Sequence, residues 1–311
     1  YRRFKRVWEV RLALVYLIKK EDRYQKLFKF FEKLSELADF LLKHLYQDMA
    51  LENMLLIALG KYGSKELTVG SDLDLVFVGR EKREEFVKKA QELIAFLTKH
   101  TVEGYLYKVD FRLRPMGSAG ELVPPFEFYK DYFKNTARVW ERLAWTRCRY
   151  VCGSTELKEE FESVLKDFLF EKPLTEKERR DIRDMRFALE GQAKKGKGAI
   201  DLKFAPGGLI DGEFLVQYYM LLERLREPSM LRAYQILSQR HTHLKSAYEH
   251  YLFLRLVETR LRLSKESSGS VLTLQDLPKV ASSVGMQEEE LKERINEAMK
   301  GLREVFLEVF D

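Results

Sequence analysis

Hydrophobic positions fall into three regimes along the chain. From residue 1 to about 50 they recur at spacings of three and four, as in Leu27, Phe30, Phe31, Leu34, Leu37 and Leu41, which keeps one face of a helix apolar. From about 51 to 125 strand patterns dominate. Leu56-Ile57-Ala58-Leu59 is an apolar run, Leu73, Leu75 and Phe77 share a strand face, and Tyr107, Val109, Phe111 and Leu113 alternate with Lys108, Asp110, Arg112 and Arg114. One helix lies between these strands, with a buried stripe of Phe86, Ala90, Leu93 and Leu97. Pro115, Gly117, Gly120, Pro124 and Pro125 then break regular structure. From Phe126 to the end nearly everything reads as helix, interrupted near Lys172-Pro173, from Gly191 to Gly208, and from Ser267 to Pro278. The pattern shows no internal repeat. It predicts an α+β protein with a helical lead-in at 1–50, a small mixed-sheet domain at 51–153 and a helical bundle at 154–311.

The sheet region carries the chemistry. Gly60-Lys61-Tyr62-Gly63-Ser64 is a glycine loop after an apolar strand, and Gly70-Ser71-Asp72-Leu73-Asp74 opens the next strand. Residues two apart in a strand face the same way, so Asp72 and Asp74 point together. Paired carboxylates repel unless a cation joins them. Hard oxygen ligands at this spacing suit magnesium, which binds through one or two carboxylates plus substrate phosphates, with manganese as the alternative. A glycine loop lets backbone N–H groups approach a triphosphate, and Lys61, Ser64 and Ser71 are the candidate phosphate contacts. Asp110 supplies a third acid, and Arg112 and Arg114 beside it read as phosphate clamps. An isolated Asp-x-Asp is more often a turn or a solvated face. The loop, the strand context and the third acid together make it a metal–nucleotide site, with Asp72, Asp74 and Asp110 as metal ligands and catalytic residues.

Gly60-Lys61, ten residues, then Asp72-Leu73-Asp74, with Asp110 on a later strand, resembles the polymerase-beta-like nucleotidyltransferases. More narrowly, Gly60-Lys61-Tyr62-Gly63-Ser64-Lys65-Glu66-Leu67 leading to Ser71-Asp72-Leu73-Asp74-Leu75 resembles the glutamate-ammonia ligase adenylyltransferases, which modify glutamine synthetase. Four further blocks agree. They are Asp110-Phe111-Arg112-Leu113-Arg114-Pro115 with Gly117 and Gly120; Trp140-Glu141-Arg142-Leu143-Ala144 with Arg147 and Arg149; Asp201-Leu202-Lys203 through Gly207-Gly208-Leu209-Ile210-Asp211 to Glu213-Phe214; and Leu254-Arg255 with Glu258 and Arg260-Leu261. Ser64 stands where the family usually has a second glycine, and Gly212 where it usually has a large residue.

The resemblance implies a small mixed-sheet nucleotidyltransferase core followed by a bundle that closes over the nucleotide. It implies AMP transfer from ATP to a tyrosine hydroxyl of glutamine synthetase by a two-metal mechanism, with Gly60, Lys61, Gly63, Ser64, Ser71, Arg112, Arg114, Arg147 and Asp211 at the nucleotide. It also implies a nitrogen-regulatory signal protein as a partner of the full-length enzyme. Family members carry two such modules, one adding AMP and one removing it by phosphorolysis to ADP. One module is present here and the chain starts at Tyr1, so a fragment is expected. The removing reaction is the alternative, but Gly70-Ser71-Asp72-Leu73-Asp74 and Asp211 resemble the adding module more closely. A module that binds nucleotide or nucleic acid without chemistry is the third reading. Its only support is a basic balance, and the three intact acids count against it.

Composition changes this picture little. Lys and Arg exceed Asp and Glu by 55 to 49, a net charge of +6, which favours anionic ligands without requiring nucleic acid. Cys148 and Cys152 alone read as two small buried side chains in a reducing compartment. No apolar run nears the ~18 residues of a membrane span and no signal peptide is evident, so the chain reads as cytoplasmic. Lys194-Lys195-Gly196-Lys197-Gly198 is either a solvated connector or a contact for phosphate or for the protein substrate. Arg147, at the edge of a stripe with Trp140, Leu143 and Ala144, suits a guanidinium paired with an acid or a phosphate. Asp211 is either a helix-start acid or a site residue. Arg255, Glu258 and Arg262 read as a salt-bridge ladder. His241-x-His243, placed on a helix, directs two surface rings apart.

Overall fold

The computed structural model describes residues 1–194, 196, 198–265 and 269–311, so Lys195 and Lys197 of the basic stretch lie outside the described residues. The chain forms two compact units, one of residues 1–67 with 71–172 and one of 68–70 with 173–311.

The first unit begins with α1 (Arg2–Ile18) and α2 (Arg23–Asp48). Asp22 opens α2 by accepting the backbone N–H groups of Tyr24 and Gln25, each at 2.9 Å. The apolar stripe of α2 is buried as its spacing predicts, with Leu27, Phe31, Leu41 and Leu42 almost wholly hidden. Next come β1 (Met54–Ala58), the single turn α3 (Gly60–Gly63), β2 (Leu73–Gly79), α4 (Glu84–Thr98) and β3 (Val109–Asp110). Helices α5 (Phe126–Asn135) and α6 (Val139–Trp145) lead to β4 (Arg149–Gly153) and α7 (Thr155–Phe170). The sheet order is β3-β2-β1-β4. β1 is antiparallel to β2 and to β4, while β3 runs parallel to β2, which makes the sheet mixed. Every residue of β1 is buried, as its unbroken apolar run requires. The stripe of α4 is buried as expected.

Three differences from the sequence expectation have physical causes. The strand expected through 105–114 shrinks to Val109–Asp110, because the Asp110 carboxylate accepts the Arg112 N–H at 2.8 Å and turns the chain. Residues 149–153, expected to be helical, form the edge strand β4, whose ladder with β1 is bulged between Leu56 and Ile57. Helix α7 packs on the first unit, setting Phe161 edge-on to Tyr129 at 5.4 Å, so this unit runs to Lys172 rather than ending at 153. Cys148 and Cys152 are buried free thiols, and burial pushes Cys152 well above its ordinary pKa.

The second unit comprises α8 (Glu176–Glu190), β5 (Ile200–Asp201), α9 (Leu209–Leu222), α10 (Met230–Leu237), α11 (Thr242–Lys265), β6 (Val271–Leu272), α12 (Leu277–Val284) and α13 (Glu288–Phe310). Helix α9 is apolar around most of its circumference and largely buried. Gly212 has a packing reason: a Cβ there would stand 2.6 Å from the Tyr251 ring, and Tyr234 Oη donates to the Gly212 carbonyl at 2.7 Å. The ladder on α11 is buried. Glu258 takes Arg255 at 2.6 Å and Arg262 at 2.9 Å, and Arg262 also donates to Thr68 Oγ1 at 2.8 Å. His241 precedes α11 rather than lying in it, so the rings of His241 and His243 approach to 5.9 Å instead of diverging. Among the described residues no helix is long and apolar enough to cross a membrane.

His250 on α11 lies against Gly301 of α13, and its Nδ1 has no hydrogen-bond partner among the described residues. Burial holds its pKa below the ordinary 6.5; Arg294 adds to the effect, while Glu249, Glu297 and Glu304 oppose it. A depressed histidine favours the fold fully above 6.5, and this contribution is lost as pH falls through the lower folded-state value. Melting temperature should therefore fall as pH drops below the ordinary histidine value of 6.5, and His250→Leu should flatten that slope. An unchanged slope in the variant would remove His250 from the account.

Candidate active site

The site is built where β1 hands over to α3 and β2 begins. Gly60 has φ +54°, and a Cβ there would collide with Asp74 Oδ2, so only glycine lets the turn pass beneath that carboxylate. The Leu59 N–H donates to the Asp74 carbonyl at 2.9 Å, locking the turn to β2. Asp74 faces Asp110 in register across the parallel β2–β3 pair. Asp72 lies just before β2 and is exposed, whereas Asp74 and Asp110 are half-buried. All three acids act on one guanidinium: Asp110 raises the Arg112 pKa most, and Asp74 and Asp72 add to it. Lys61 and Ser71 are half-buried at the two ends of the loop that joins the turn to the acids.

Arg112 closes Asp110. Its Nε reaches Oδ2 at 2.8 Å and Oδ1 at 3.1 Å, and a terminal nitrogen reaches Oδ2 at 2.5 Å. Desolvation is the largest single influence on Asp110 and pushes its pKa up, but the bonds and charge of Arg112, helped by Arg114, outweigh it and hold the carboxyl below 3.8. Among the described residues no three His, Cys, Asp or Glu side chains converge closely enough to hold a metal ion as they stand. The donor set nevertheless suits magnesium or manganese: three carboxylates, two in strand register, in front of a turn that excludes any side chain. The Arg112 side chain is 80% exposed, so it can swing off Asp110 when a cation takes its place.

Other expected site residues have partners within the protein. Ser64 is 1% exposed; its hydroxyl donates to the Gly60 carbonyl at 3.1 Å and accepts Arg147 Nε at 2.7 Å, so it braces the turn from behind. Arg147 is itself buried at 6% exposure. Gly63 is buried, and only glycine fits there because a Cβ would collide with the Arg147 carbonyl. Arg114 donates to the carbonyls of Phe111, Ser118 and Gly120, knitting the loop after β3 instead of standing on a strand face. Asp211 is in the second unit, fully buried, paired with Arg186 and with Arg303 at 3.1 Å, and it accepts the Gly207 N–H at 3.0 Å.

Residues 1–164, more than half of the chain, match the family described as glutamate-ammonia ligase adenylyltransferase. The chain belongs to the glutamate-ammonia ligase adenylyltransferase family. Residues 167–310 match the family described as GlnD PII-uridylyltransferase, a similarity confined to the helical part. Curated relatives agree with the first match. The chain is 29% identical over 279 residues to the bifunctional glutamine synthetase adenylyltransferase/adenylyl-removing enzyme of Shewanella woodyi, covering 82% of this chain and 29% of that protein. It is 31% identical over 258 residues to that of Stenotrophomonas maltophilia, covering 76% and 27%. For Nitrosomonas europaea the identity is 37% over 215 residues, covering 65% and 23%. The chain spans less than a third of the length of these relatives. Within this adenylyltransferase-family chain, Asp39 was not singled out by sequence reasoning, yet it reaches the glycine turn from α2 through Tyr62 and Arg149.

Proposed function

We propose that the chain moves AMP from ATP to a tyrosine hydroxyl of glutamine synthetase. The observation that carries this reading is the meeting of Gly60 with Asp74, itself in register with Asp110. Asp72, Asp74 and Asp110 would hold magnesium or manganese, which when bound supplies positive charge for the triphosphate and for the attacking and leaving oxygens. Gly60 leaves room for that assembly beside Asp74. Lys61 and Ser71 contact the phosphates, and Arg112, released from Asp110, becomes a further phosphate contact. Asp110 accepts the proton of the incoming hydroxyl. The remaining catalysis is orientation and electrostatics, with no covalent protein intermediate.

The named relatives combine addition and removal, and the same acids serve phosphorolysis of AMP-tyrosine to ADP. The Gly70-Ser71-Asp72-Leu73-Asp74 string favours addition. Incubation with unmodified glutamine synthetase and alpha-labelled ATP, and separately with adenylylated synthetase and phosphate, decides between them. Label on the synthetase supports addition, ADP release supports removal, and the formation of neither product would contradict the proposal. Asp110→Asn is expected to lower kcat about a hundredfold with ATP affinity changed less than about threefold, since Asp72 and Asp74 still hold the nucleotide's metal. Equal losses in rate and in calorimetric ATP affinity would place Asp110 at the nucleotide metal instead.

A further inference from the structure

The glycine turn α3 is one helical turn long, too short to hold its own shape, so its conformation must be imposed from outside. Its terminal carbonyls are caught by one side chain on the edge strand. Arg149 donates to the Gly63 carbonyl at 3.3 Å and to the Tyr62 carbonyl at 3.2 Å, and its guanidinium lies 5.1 Å from the Tyr62 ring centroid. Arg149 is in turn fixed by Asp39 of α2, through a two-pronged pair at 2.9 and 3.0 Å across 110 residues of sequence. Tyr62 Oη adds a third bond to Asp39 at 2.7 Å. Both members of the ion pair are mostly buried, at 16% and 13% exposure. A guanidinium held in a planar fork by a carboxylate keeps one orientation, which an ammonium cannot do.

We infer that Asp39 is a positioning residue: through Arg149 it fixes the turn that sets Gly60 against Asp74 and Lys61 toward the nucleotide. The inference rests on the nucleotide reading given above. It makes α2 part of the catalytic apparatus, because the residue that orients the turn belongs to the helical lead-in and not to the sheet. Local sequence offers no sign of it, since Asp39 stands among residues that read as an ordinary amphipathic helix.

Asp39→Asn keeps the volume and removes the charge that orients Arg149; Arg149→Lys keeps the charge and removes the fork. Both are measured in the full chain for calorimetric affinity for the manganese complex of a non-hydrolysable ATP analogue, KM for ATP, KM for glutamine synthetase and melting temperature. The expected result is an affinity loss of about tenfold in each, matched by the KM for ATP, with the KM for synthetase within about twofold. Asp39→Glu should recover part of the affinity. Wild-type binding of the analogue with unchanged affinity in Arg149→Lys and Asp39→Asn, whatever their melting temperatures, would overturn the positioning role alone. Failure of the wild-type chain to bind the analogue would overturn the nucleotide reading and the inference with it.

Discussion

Asp74→Asn should reduce AMP transfer by about a hundred- to a thousandfold while the melting temperature stays within about 3 °C of wild type. The carboxylate stands against Gly60 and opposite Asp110, so its charge serves the site while its volume serves packing. An amide keeps that volume and turns an acceptor toward the cation into a partial donor. Asp72→Asn should lose activity by a similar factor, at even less risk to the fold, because Asp72 is exposed ahead of the strand. Near-normal turnover in either variant, measured as label transferred to glutamine synthetase, would remove the acids from catalysis.

The second large effect is on stability. Asp211→Ala should destabilise the chain by about 3–5 kcal/mol, read from denaturant unfolding, because it leaves the fully buried Arg186 with only the longer contact to Glu190, at 3.6 Å, as an acidic partner. Arg303 and the Gly207 N–H lose the same partner. A helix-start acid serving only as a cap would cost about 1 kcal/mol. Replacing both buried charges, as Asp211→Leu with Arg186→Met, should recover part of the loss, since no uncompensated ion remains. A loss near 1 kcal/mol in Asp211→Ala would show that the buried pair contributes little.

What could be read from the sequence was what repeats locally. The stripes of α2 and α4 and the apolar run of β1 follow from period alone, and Asp74 follows from a strand's alternation beside a glycine turn, whereas Asp72 lies just ahead of that strand. Arg112 and Arg114 show the limit. Strict alternation put them on a strand face with Asp110, but a carboxylate that captures the N–H two residues on ends the strand. Ser64 was assigned by chemistry to phosphate, yet its hydroxyl is used internally by Gly60 and Arg147, the latter 83 residues away. Asp211 meets partners 25 and 92 residues distant. Such pairings leave no periodic trace, and they decide whether a polar residue faces a ligand or the interior.

The central claim is that Asp72, Asp74 and Asp110 bind divalent metal together with a nucleoside triphosphate. Manganese titration followed by electron paramagnetic resonance, with and without a non-hydrolysable ATP analogue, tests it directly. The account predicts that the analogue tightens manganese binding to the wild-type chain and that Asp74→Asn abolishes this gain at unchanged melting temperature. Manganese binding that ignores the nucleotide, or that is the same in Asp74→Asn as in wild type, would contradict it.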